Sequence, residues 1–161
     1  MWNRELDTPM SSLHAHINLL EFLTQVNQIW LDALEGRIVK GTCVLAIGDN
    51  ISSMGWLQRS TFKEKIEETG EMESNEEWAV KQDIARKCAD IIFEKEACLY
   101  SQWFAGEQNV AMDSTSRDSL YLSPEAHVAM LKHYVPKQTP ANLVLRPLPK
   151  AIVSWIGSLL Q

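Results

Sequence analysis

Two acids stand at the ends of apolar segments, where their carboxylates can be brought together. Asp49 closes the run Val44-Leu45-Ala46-Ile47-Gly48 and is followed by Asn50. Asp113 lies in Asn109-Val110-Ala111-Met112-Asp113-Ser114-Thr115-Ser116-Arg117-Asp118, after the apolar segment from Cys98 to Gly106, where a helix can start. Acids that converge on one edge of a sheet repel each other, and a divalent cation with a preference for hard oxygen ligands relieves that repulsion. The arrangement points towards Mg2+-dependent phosphodiester chemistry. Each acid also has a plainer role. Asp49-Asn50 followed by Ser52, and Asp113-Ser114, are good helix-capping chemistry.

Helices and strands must position these acids. His16 to Leu34 carries Ile17, Leu20, Leu23, Ile29, Leu31 and Leu34 at helical spacing, and Gly36 is a stop signal. Glu21 falls within that helix beside its apolar stripe, where the plain reading is a solvated position. Thr42 to Ile47 is short, apolar and β-branched, which predicts a buried strand. Asn50 or Ser52 caps a short helix over 53–59. Residues 63–77 are charged, acidic and poor in apolar residues, and read as an exposed insertion or a solvated helix end. Helical spacing resumes at Trp78 with Val80, Ile84, Cys88, Ile91 and Ile92, to about Phe93. A strand over 98–104 follows. Ser123-Pro124-Glu125 opens another helix, to about Tyr134, with Ser123 as cap and Pro124 in the first turn. Pro136, Pro140, Pro147 and Pro149 mark an extended arm before a short apolar helix over 150–160. The order is helix-rich α/β with two strands, too few for a comfortable sheet.

The chain has 161 residues, 45% hydrophobic and 22% charged, enough for one domain with a core. Its net charge of -6 argues against a broad electrostatic grip on nucleic acid, so a nucleic-acid site needs a local basic patch or a neighbouring domain. Cys43, Cys88 and Cys98 have no metal-ligand spacing and read as buried free thiols in a reducing compartment. The first residues are not a secretory signal. The longest apolar run, 151–160, is about half of a membrane span. An intracellular protein, cytoplasmic or nuclear, is expected.

Three stretches together suggest a family. His16-Ile17-Asn18-Leu19-Leu20-Glu21, then Leu45-Ala46-Ile47-Gly48-Asp49-Asn50 with Gly55-Trp56-Leu57, then Gly106, Asn109-Val110, Asp113 and Ser116-Arg117-Asp118, resemble the ribonuclease H domain of retrotransposon reverse transcriptases. The resemblance covers roughly 13–160. It implies a mixed sheet flanked by helices and cleavage of the RNA strand of an RNA–DNA hybrid, with two Mg2+ or Mn2+ ions held by four acids. By motif, Glu21, Asp49 and Asp113 match the second, third and fourth acids as catalytic and metal-holding residues, with Asn50, Ser116 and Arg117 on the nucleic acid. The first acid, an Asp on the first strand, has no match, because no strand-like run surrounds Asp7. Met112 stands where the family usually has Ala, and Thr115 where it usually has Leu.

The expected organisation is a lead-in over 1–12, a partial ribonuclease H-like domain over 13–120 lacking its first strands, and a helical, Pro-rich tail over 121–161. Such a chain is a fragment or decayed copy of a retroelement, probing hybrid only through its parent polyprotein, inactive alone, and prone to self-associate through an open sheet edge. The alternative is a non-catalytic α/β protein-interaction module whose acids cap helices. No membrane partner is expected.

Overall fold

The computed structural model describes residues 17–59, 62, 75–106, 123–134, 136–137 and 147–159. Within them the protein is α/β and helix-rich, with a two-stranded parallel sheet. Helix α1, Ile17–Leu34, buries Leu19, Phe22, Leu23, Val26, Ile29 and Ala33 along one stripe. It ends where Gly36 takes φ 73°, a left-handed conformation that glycine adopts without a Cβ penalty. Strand β1, Cys43–Gly48, follows.

Among the described residues, two helices lie on the crossover that returns the chain to the sheet. The first, α2, spans Ile51–Trp56 and is capped by Asn50, whose side-chain oxygen accepts the Ser53 N–H at 3.0 Å. The second, α3, spans Asn75–Glu94 and buries Ile84, Ala85, Cys88 and Ile91. It starts inside the acidic stretch 63–77, of which 63–74 lie outside the described residues. Strand β2, Cys98–Trp103, then pairs with β1 from Cys43↔Cys98 to Gly48↔Trp103. A parallel pair requires a long crossover, and α3 fills that role.

Two more helices follow among the described residues. Helix α4, Pro124–Tyr134, opens as its first residues imply, the Ser123 Oγ accepting the Ala126 N–H at 3.3 Å. Helix α5, Lys150–Ser158, sends the fully buried Ile152 and Ile156 into the same core as α1 and α3. Trp155 meets Trp30 of α1 edge to face at 5.6 Å, and the Lys87 ammonium lies 3.7 Å from the Trp30 ring centre. At the other end of α1, Phe22 is fully buried and meets Trp56 and Phe62 edge to face at 5.7 and 6.3 Å.

The strands depart from the expected burial. Val44, Ala46 and Leu99 face the core, but Leu45 is 55% exposed, Ile47 51% and Tyr100 58%. The β1 run is continuous and apolar because of its composition, yet among the described residues only one face is covered. The same geometry corrects the reading of the cysteines. Cys88 is buried on α3, whereas Cys43 and Cys98 are exposed on the uncovered face. No helix among the described residues is long and apolar enough to cross a membrane.

Candidate functional site

Both strands run the same way, so their carboxyl ends lie together, the place where open α/β sheets commonly bind ligands. Asp49 follows the last residue of β1. Its backbone is held from the neighbouring strand, where Trp103 Nε1 donates to the Asp49 carbonyl at 2.7 Å and the Phe104 N–H donates to the Gly48 carbonyl at 3.1 Å. Its side chain lies over the turn that leaves β2. A Cβ added to Gly106 would stand 3.2 Å from Asp49 Oδ2, so the absence of a side chain there admits the carboxylate.

Glu21 projects from α1 towards the same place. Its carboxyl is held above the ordinary Glu range, first by partial burial and then by the charge of Asp49, while a hydrogen bond with Asn50 pulls the other way. The effect of Asp49 on Glu21 means that the two acids share one electrostatic environment. Asn50 ties the elements together. Its Nδ2 donates to Asn18 Oδ1 at 2.6 Å, its oxygen caps α2, and its amide interacts with Glu21. One side chain therefore links the first turns of α1, the end of β1 and the start of α2.

The structure thus brings together Glu21, Asp49 and Asn50. Asp113, Ser116 and Arg117 lie outside the described residues. Asn18, Trp103 and Gly106 also build the site. Asn18 had a signal, since it precedes Glu21 by three positions and shares its helix face. Trp103 had none, because its role depends on the register Gly48↔Trp103 between strands far apart in the chain. Two carboxylates and amide oxygens are hard donors of the kind Mg2+ takes. Among the described residues no group of three or more His, Cys, Asp or Glu could hold a metal, so the acids form a pair.

The raised Glu21 pKa sets a pH dependence. The native state binds more proton than the unfolded chain as pH rises from 4.5 through the higher native value, so stability falls across that window. Glu21→Gln keeps an acceptor for Asn50 and removes the charge. Relative to the parent it should gain a few tenths of a kcal/mol at neutral pH, discounted for exposure, and nothing in acid. Urea titrations at two pH values measure the difference. A gain equal at both would show that the Glu21 carboxyl titrates in the native state as it does in the unfolded chain.

Comparison with protein-family models, curated proteins and solved structures finds no match.

Proposed function

We propose that this chain is a retroelement-derived ribonuclease H-like fragment whose ancestral chemistry is two-metal hydrolysis of the RNA strand in an RNA–DNA hybrid. The observation that carries the reading is the convergence of Glu21 with Asp49 at the carboxyl end of a parallel strand pair. The motif resemblance pairs those two acids, and the Asp49 charge adds to partial burial in raising the Glu21 pKa. Their oxygen chemistry suits Mg2+ or Mn2+. When bound, such ions supply an activated water and charge stabilisation for an in-line displacement.

The residues of this chain divide the remaining work. Asp49 and Glu21 offer the cation oxygens, and Asn50 fixes the position of Glu21 relative to the strand end. Asp113 is proposed as the third acid by motif, with Ser116 and Arg117 beside it on the nucleic acid. The 2′-hydroxyl of the ribose is the group that separates RNA from DNA. Three acids without the first Asp fix two ions poorly, and a net charge of -6 weakens capture of a polyanion. The chain alone is therefore proposed to have little or no activity, with hybrid binding through the parent polyprotein.

One observation supports a second reading, a non-catalytic α/β interaction module. The face bearing Leu45, Ile47 and Tyr100 is uncovered among the described residues, and apolar surface of that kind favours association. Hybrid-cleavage assays separate the two. The 161-residue chain and a version extended by its in-frame upstream coding segment are incubated with labelled RNA–DNA hybrid and Mg2+ or Mn2+. Metal-dependent cleavage by the extended protein alone supports the fragment reading. Its failure to cleave, with the fold intact by circular dichroism, favours the interaction module.

A further inference from the structure

The amino ends of β1 and β2 carry a pair of thiols. Cys43 and Cys98 are direct partners in the parallel register, and both are free and exposed. Residues of even and odd parity alternate between sheet faces, so the two side chains stand on one side, the face that also bears the exposed Leu45, Ile47 and Tyr100. Neighbouring strands lie about 4.8 Å apart, inside the range of roughly 4.4–6.8 Å between Cα atoms that a disulfide spans. The backbone at this end is tied down on both sides. The Cys98 N–H donates to the Thr42 carbonyl at 2.8 Å, and the Gly41 N–H to the Glu96 carbonyl at 3.0 Å.

We propose that Cys43 and Cys98 form a dithiol modification site that closes reversibly to an intramolecular disulfide, with a small-molecule disulfide of the glutathione class as oxidant. One cysteine thiolate attacks a sulfur of the oxidant, forming a protein mixed disulfide and expelling one small thiolate. The second cysteine thiolate attacks the protein sulfur of that mixed disulfide and expels the other. The two protein thiols are oxidised, the small disulfide is reduced to two thiols, and the two thiol protons pass to the expelled thiolates. The same proximity raises the Cys98 pKa, first through a hydrogen bond with Cys43 and then through its charge.

The third thiol supplies an internal control. Cys88 is 3% exposed, and burial pushes its pKa up to about 11, so it has little thiolate and little access. The dithiol lies about 20 Å from Asp49 along β1, at a rise of about 3.3 Å per residue, and does not depend on the acid pair. Closing it would join β1 to β2 across the whole crossover, a long loop of the kind whose closure most restrains the unfolded chain.

The experiment uses the full chain, treated with oxidised glutathione, alkylated and mapped by mass spectrometry without reduction. The expected product is a monomer that has lost two hydrogens, contains a Cys43–Cys98 linked peptide and keeps one alkylatable thiol after unfolding, at Cys88. Its melting temperature should rise by about 5–10 °C and return after dithiothreitol. Cys43→Ser and Cys98→Ser should each retain glutathione on the remaining exposed cysteine and gain no thermal stability. Monomers carrying glutathione on both Cys43 and Cys98, a linkage through Cys88, or disulfide-joined dimers as the main product would overturn the proposal. So would three thiols left unmodified.

Discussion

Asp49→Asn in the upstream-extended protein is expected to lower Mg2+-dependent cleavage of an RNA–DNA hybrid by about a hundredfold or more. The amide keeps the shape of the carboxylate but loses the charge that a cation needs, and metal stabilisation of the transition state contributes several kcal/mol, where each 1.4 kcal/mol is about tenfold. Folding should survive the change. The anchor from the neighbouring strand is the bond from Trp103 Nε1 to the Asp49 backbone carbonyl, which the substitution leaves in place. Loss of the Asp49 charge should also let the Glu21 pKa fall towards its ordinary value, because that charge is one of the two causes raising it. Asp83→Asn, an exposed α3 acid paired with Arg86 at 3.0 Å, is the control and should leave cleavage unchanged. Single-turnover rates at saturating metal, beside a thermal melt, measure both effects. Cleavage undiminished by Asp49→Asn would remove Asp49 from the site and with it the two-metal reading.

The sequence carried much of this architecture because the signals were local. Helical spacing from Ile17 to Leu34 with Gly36 behind it, Asn50 ahead of α2, and Ser123-Pro124 ahead of α4 each act through neighbours a few residues away. The exposure of Leu45, Ile47, Cys43 and Cys98 was not legible. A six-residue apolar strand has the same composition whether one face or both are covered, and coverage depends on elements distant in the chain. The acid pair falls between these cases. Helix spacing places Glu21 beside the apolar stripe of α1, but nothing in α1 says that this part of the helix meets the end of β1 rather than its beginning. The nearness of Glu21 to Asp49 enters only through the fold, as the second cause, after burial, that raises the Glu21 pKa. Asn50 shows why local and long-range readings need not compete. The same side chain caps α2, as its sequence context suggests, and holds Asn18 across 32 positions of chain.

Phe22→Ala is expected to cost about 3–5 kcal/mol, the largest stability loss of any change considered, because removing a buried aromatic ring adds a cavity to the lost transfer energy. Phe22 has no exposed surface, and its ring is the common partner of Trp56 and Phe62, which also meet each other at 6.2 Å. Phe62 is held in turn from α3, where Trp78 Nε1 and Gln82 Nε2 donate to its carbonyl at 3.1 and 3.2 Å. One residue of α1 thus supports the packing of α2 and, through Phe62, the first turns of α3. Native stabilities of about 5–15 kcal/mol leave little margin for such a loss, so the variant should be largely unfolded at temperatures where the parent is folded. Phe22→Leu, which keeps most of the volume, should cost less than half as much. The consequence reaches the acid pair, since Glu21 precedes Phe22 on α1 and depends on the same helix for its distance from Asp49. In Phe22→Leu, a helix that shifts should weaken the influence of Asp49 and return the Glu21 pKa towards that of an ordinary Glu. Denaturant melts with a carboxyl titration followed by NMR measure both quantities. A Phe22→Ala protein within 1 kcal/mol of the parent, on the order of an ordinary surface change, would show that the aromatic cluster does not hold α1 in place.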